Sequence, residues 1–186
     1  MNRDEIAAAA LELFRARGYD AVTVQDICDA CSISKPTFYS RVSSKDDLIV
    51  DFYDSVTLEL TRRLSSLVSA KSRWEQLMVC FGTLVDETER IGPEIMRQML
   101  IINLREDRHS FDERKYLTNV MVAIIKNGQE EGEIGNTMDA EGLYHTATYL
   151  FQGYLSMWCI RRGEMDWRDE LERGLRALFI VRAPQD

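Results

Sequence analysis

Between Ser32 and Leu48 the chain reads SISKPTFYSRVSSKDDL, and its candidate chemistry concentrates there. Lys35, Arg41 and Lys45 are cations that can neutralise phosphates. Ser34, Thr37, Tyr39 and Ser40 carry hydroxyls that can hydrogen-bond phosphate oxygens or base edges. No acidic residue interrupts this run before Asp46. The set suits a polyanion that also presents hydrogen-bonding edges, which is the chemistry of a nucleic acid. Catalytic constellations are missing from the sequence. There is no GxSxG, no P-loop, no GxGxxG after a strand and no HExxH, and the two histidines, His109 and His145, lie far apart. Paired acids such as Asp46-Asp47 and Glu130-Glu131 read as solvated faces.

The elements that must position these groups are helices. Only three prolines occur, Pro36, Pro93 and Pro184, and period-two alternation is scarce, so the chain reads as all-α. A first helix runs from about Arg3 to Arg17, with Ile6, Ala9, Ala10, Leu13 and Phe14 on one face and Gly18 past its end. Thr23 with Asp26 three residues on resembles a capping box, so a short helix runs from Val24 to about Cys31. Ser34 caps a third, KPTFYSRV, whose Pro36 falls in the first turn, where a missing N–H costs nothing. Ser44 caps a fourth, running to Val68, with Asp46 and Asp47 favourably placed in its first turn. Longer helices follow near 72–90, 93–106, 111–131, 138–161 and 166–182. Two short helices joined by a tight turn and braced by a preceding one form a helix-turn-helix, whose second helix enters the major groove. Helix N-termini at Thr23, Ser34 and Ser44 add N–H groups for phosphates.

Composition bounds the rest. With 186 residues, 45% hydrophobic and 29% charged, the chain reads as a soluble globular protein of one large domain or of a small one joined to a medium one. No apolar run is long enough to span a bilayer, and MNRDEIAAAALELF is not a signal peptide, so the expected location is the cytoplasm. A net charge of −8 argues against non-specific binding of nucleic acid or membrane by the whole surface, and leaves the basic island local. Cys28-x-x-Cys31 lacks a second pair and a nearby histidine, so it reads as structural. No metal and no cofactor are expected.

The run from Ala7 to Tyr53 resembles the TetR/AcrR family of bacterial transcriptional regulators. Leu13-Phe14, Gly18-Tyr19, Thr23, Ile27, Ile33-Ser34, Thr37-Phe38-Tyr39 and Ser44-Lys45-Asp46-Asp47-Leu48 match the family pattern in order and spacing. The resemblance implies a DNA-binding domain over 1–48 and a ligand-binding and dimerisation domain over 49–186. It implies DNA contacts from Lys35, Thr37, Tyr39 and Lys45, with Thr23 supporting, and Lys45 and Tyr39 on phosphate. Ser34 and Pro36 at the start of the recognition helix complete that set; Arg41 is either a phosphate contact or a surface charge. Two departures stand out: Cys31-Ser32 replaces the family's usual Ala-Gly, and Arg41-Val42 replaces a common His-Phe pair. Serine lacks glycine's freedom at positive φ, so the turn is expected to differ slightly.

The larger part reads as a pocket and an interface. YHTATYLFQGYLSMWCI is apolar nearly all round and must bury two faces. The last helix carries one stripe of Trp167, Leu171, Leu175, Leu178 and Phe179. The resemblance implies that these two helices from each subunit form a four-helix interface of a homodimer. Candidate pocket residues are Trp74, Phe81, Met99, Met121, Tyr149 and Trp158, each either cavity wall or ordinary core. Asn103 and His145 are candidate polar anchors, His145 equally a satisfied core histidine, while His109 reads as part of a solvated loop. The expected function is a ligand-responsive, homodimeric regulator, a repressor, on a pseudo-palindromic double-stranded operator, with an unknown small-molecule effector. The alternative is a helical dimer that binds another protein, motivated by six basic against eight acidic groups in residues 1–50.

Overall fold

The structure is a computed structural model, and it describes residues 1–49, 67, 69–108 and 115–182. The described residues form helices α1 (Arg3–Arg17), α2 (Val24–Ala30), α3 (Lys35–Tyr39), α4 (described over 45–49), α5 (Arg73–Ile91), α6 (Pro93–Arg105), α7 (Lys115–Glu130), α8 (Ala140–Ile160) and α9 (Trp167–Phe179). The only β pairing among them is an isolated bridge between Ile134 and Val181. Most of the fourth helix expected to Val68, and His109, fall outside the described residues.

Local capping fixes the N-terminal elements. Asn2 opens α1 with a capping box: its side chain accepts from Glu5 N at 2.8 Å, and Glu5 accepts from Asn2 N at 2.6 Å. Thr23 and Asp26 do the same for α2, as expected from their spacing. Ser44 and Asp47 repeat the device at the start of α4, each side chain accepting the other's backbone N–H at 3.1 Å. The α2–α3 turn is a Schellman motif. Ser32 N donates to Asp29 O at 3.1 Å and Ile33 N to Cys28 O at 2.9 Å. Ser32 sits at φ 52°, the left-handed region, so it takes up the geometry that a glycine would supply. The turn keeps its shape and stores the strain. Ile6, Phe14, Ile27, Cys28, Phe38, Val42 and Leu48 form the buried centre of this unit.

Helices α5–α9 enclose the second part of the core. α8 packs against α6, α7 and α9, and α5 against α6, α7 and α9. Aromatic side chains link the layers: Phe81 to Phe151, Phe151 to Trp167 at 5.5 Å, and Trp158 stacked on Trp167 at 5.6 Å. The buried Trp167 indole donates to Glu89 at 3.1 Å, giving its polar edge a partner. Glu133, beyond α7, accepts the N–H groups of Arg73 and Trp74 at 2.8 and 3.0 Å, capping α5 from 60 residues away. α9 ends earlier than the expected 182, because Ile180 turns left-handed at φ 50° and sends the chain into the Val181 bridge. The two parts meet where α1 approaches α6.

Candidate DNA interface and effector cleft

α3 presents the basic, hydroxyl-rich run on one short exposed element. Its N-cap Ser34 accepts from Thr37 N at 3.3 Å, and the Ser34 and Thr37 hydroxyls lie 2.9 Å apart. Phe38 is fully buried and pins the helix to the core, while Tyr39, its ring edge-on to Phe38, stands 54% exposed. Ser34, Lys35, Pro36, Ser40 and Arg41 are exposed and Thr37 is half-buried, so these expected DNA residues share one outward region. Arg41 lends its backbone carbonyl to Arg3 at 3.3 Å, leaving its guanidinium on the surface. Thr23 lies exposed at the start of α2, its hydroxyl engaged by Asp26. Hydrogen bonds from Thr23, first its hydroxyl and then its N–H, hold the Asp26 carboxyl well below the usual carboxylate range, with Arg17 adding to this at 2.9 Å.

Lys45 is placed differently from the phosphate contact that the resemblance implies. Its ammonium donates to Tyr19 O and Val22 O, both at 2.9 Å, and lies 3.8 Å from the centre of the Tyr19 ring. The Tyr19 hydroxyl in turn donates to Asp46. Burial, and then that carboxylate, push the Tyr19 phenol far above its ordinary value, so it stays a neutral donor. Lys45 therefore ties the start of α4 to the loop between α1 and α2.

The expected pocket residues are not brought together. Trp74 is buried against Phe179, with the Arg176 guanidinium 4.7 Å from its ring. Phe81, Met99, Met121 and Trp158 are buried in the core. His145 is half-buried beside Tyr144, and Tyr149 faces outward, 73% exposed. Asn103 alone borders the cleft between α6 and α8, a space of about 410 Å³. Leu100, Ile101, Leu104, Cys159 and Ile160 give this cleft an apolar wall, and Arg97, Asp107 and Ser156 add polar groups. Arg97 escaped the sequence reading because a lone arginine on an amphipathic helix carries no signal. Buried Thr88, whose hydroxyl has no hydrogen-bond partner among the described residues, escaped it for the same reason. Along α8, Thr146, Tyr149, Gly153, Met157 and Ile160 recur at steps of three and four as an exposed, uncharged stripe. Neither a membrane-length apolar helix nor a cluster of three or more metal-ligating side chains occurs among the described residues. Cys28 and Cys31 are buried thiols, and burial raises both.

Residues 6–51 match the family model of bacterial regulatory proteins, tetR family. The HTH-type regulator TcmR of Streptomyces glaucescens is 39% identical over 46 residues, 25% of this chain and 20% of that protein. The uncharacterised HTH-type transcriptional regulator YerO of Bacillus subtilis (strain 168) is 25% identical over 175 residues. That match takes in 83% of this chain but only 58% of YerO, so the chain spans little more than half of this curated relative. Among solved structures, Thermus thermophilus FadR, a TetR-family transcriptional repressor in complex with lauroyl-CoA, superposes with a TM-score of 0.76. It is 26% identical, over the full length of both chains. Residues 6–51 thus carry the DNA-binding signature of the bacterial tetR family, and over its whole length the chain shares the fold of the TetR-family repressor FadR.

Proposed function

We propose that the chain is an effector-responsive repressor that binds a pseudo-palindromic operator as a homodimer. One observation carries the reading: in a chain of net charge −8, the second helix of a helix-turn-helix and the turn after it present Lys35, Thr37, Tyr39 and Arg41 outward, with no acid among them. Residues 1–48 would form the DNA-binding domain and the remainder the effector and dimer domain. Lys35 and Tyr39 fix register on phosphates while Thr37, at the N-terminal end of α3, reaches base edges. The uncharged stripe of α8 is the surface a second copy would bury, with α9 beside it. Two recognition helices then meet half-sites about 34–36 Å apart.

The effector would be an amphipathic molecule with an apolar chain. FadR carries lauroyl-CoA, and the α6–α8 cleft here offers an apolar wall with Arg97 among its lining residues. Binding would shift the population toward a spacing of the two DNA-binding heads that no longer fits successive major grooves. The test is selection of bound duplexes from a random pool, followed by titration of the winner with and without lauroyl-CoA. A palindromic consensus bound at about 10⁻⁸ M or tighter, and weakened by the acyl-CoA, is expected. A pool that never enriches removes DNA recognition; a consensus indifferent to acyl-CoA removes this effector class. The protein-binding alternative finds no support in the exposed face of α3.

A further inference from the structure

Two side-chain hydrogen bonds tie the helix-turn-helix unit to the residues that flank α6, one at each end of that helix. Near its start, Arg15 of α1 donates to Arg90 O, at the end of α5, at 2.6 Å. This end is pinned: Gly163 of the α8–α9 connection lies close enough to Pro93 that an added Cβ would come within 3.2 Å of the ring. Beyond the other end of α6, Arg108 donates to the Asp47 carboxylate. Between the two ends, α6 lines the cleft with Leu100, Ile101 and Leu104.

We infer that Arg108 is a positioning residue, whose bridge to Asp47 carries the state of the α6–α8 cleft to the helix-turn-helix. The contacts form an unbroken series. Asn103 borders the cleft, holds Met99 O at 2.9 Å through its amide nitrogen, and accepts from Arg108 N at 3.3 Å. The Arg108 guanidinium reaches Asp47 with one nitrogen and Glu106, at 3.0 Å, with another. Asp47 is the shared component. One carboxylate oxygen takes Arg108 and the other accepts from Ser44 N at 3.1 Å, closing the cap of α4. Its neighbour Lys45 holds the carbonyls of Tyr19 and Val22, and Val22 immediately precedes the cap of α2. Neighbouring Asp46 accepts from Tyr19. Moving Asp47 therefore moves the first turn of α4 and the loop that leads into α2.

Lever length makes the coupling effective. The 13 residues of α6 span about 20 Å at 1.5 Å per residue. A tilt of roughly 5° about the pinned Pro93 end displaces the Arg108 end by about 1.7 Å over that length, enough to break hydrogen-bond geometry. A chain inserted between α6 and α8 would act at the free end, whereas the Arg15–Arg90 contact would act as the pivot.

The inference rests on the regulator reading, so its test has two arms, both with the full chain. In the first, amide exchange is followed at Ser44, Asp47 and Val22 in wild type, Arg108→Gln and Arg108→Lys. Exchange about fivefold faster in Arg108→Gln and closer to wild type in Arg108→Lys is expected; unchanged rates in Arg108→Gln overturn the bridge. This arm needs neither DNA nor effector, so it stands even if the protein binds no duplex. In the second, the cleft is filled from within by Ser156→Phe, and affinity for the selected duplex is compared in both backgrounds. A loss of about tenfold with Arg108 present and under about twofold in Arg108→Gln is expected. Equal losses in the two backgrounds overturn the coupling. If Ser156→Phe fails to fold, Leu104→Trp, at an exposed position beside the same cleft, replaces it with the same two outcomes.

Discussion

Replacing Lys45 by methionine separates two roles for this side chain that the sequence alone merges. The substitution keeps the apolar stem and deletes the ammonium. Two hydrogen bonds are lost, to Tyr19 O and Val22 O at 2.9 Å each, together with a cation–π contact at 3.8 Å. Lys45 itself is half-exposed, so water can replace the donor in part. Each bond is then worth about 1 kcal/mol rather than the upper figure for a charged donor. The ring contact adds about 0.5 kcal/mol at such a site. Lys45→Met should therefore destabilise the protein by about 2–3 kcal/mol, which for a chain of this size lowers Tm by about 5–10 °C. Circular dichroism melts measure that directly. The companion measurement is the salt dependence of duplex binding, because a lost phosphate contact flattens the slope by about one per site. An unchanged Tm with a flattened slope would refute the structural role, and return Lys45 to the phosphate backbone as the family resemblance has it.

Ser32→Gly should stabilise the protein by about 1 kcal/mol, since the left-handed φ of 52° that serine tolerates is free for glycine; a Tm that fails to rise would show that the turn relaxes in another way. Gly153→Glu places a charge in the middle of the uncharged α8 stripe, and sedimentation at micromolar concentration should then show monomer where wild type shows dimer. A dimer that survives the substitution puts the interface elsewhere. Burial pushes the thiols of Cys80 and Cys159 up to about 12, and those of Cys28 and Cys31 above their ordinary value. At pH 8 a disulfide reagent should therefore label no described cysteine of the native protein within minutes and all four after unfolding, and a native thiol reacting at the rate of free cysteine would contradict that packing.

What the sequence could reveal follows the range of the interaction concerned. The caps at Thr23, Ser34 and Ser44 are contacts over three residues, so their spacing in the chain is their geometry in space. The Asn2–Glu5 box is just as local. The carbonyl partners of Lys45 lie beyond any local reading, because they are 26 and 23 residues upstream. Side-chain type says that an ammonium needs acceptors, not whether they are phosphates or carbonyls. The same limit hid Arg108, whose partner Asp47 is 61 residues away and looked like an ordinary first-turn acid. The pocket candidates meet a different limit. Methionine and tryptophan fill a core and line a cavity for the same apolar gain, so nothing in Trp74, Met99, Met121 or Trp158 separates wall from filling. Only packing does so, and it buries all four while opening the space between α6 and α8 instead. The apolar character of α8 was legible and its consequence was not. One face does enter the core, at Leu143, Ala147, Phe151 and Leu155, whereas Tyr149 belongs to the face left outside. A residue chosen for a pocket by its ring thus lies on the surface proposed for a second copy. Gly153→Glu and Tyr149→Glu should accordingly fail together in dimer formation, while neither alters the lining of the cleft.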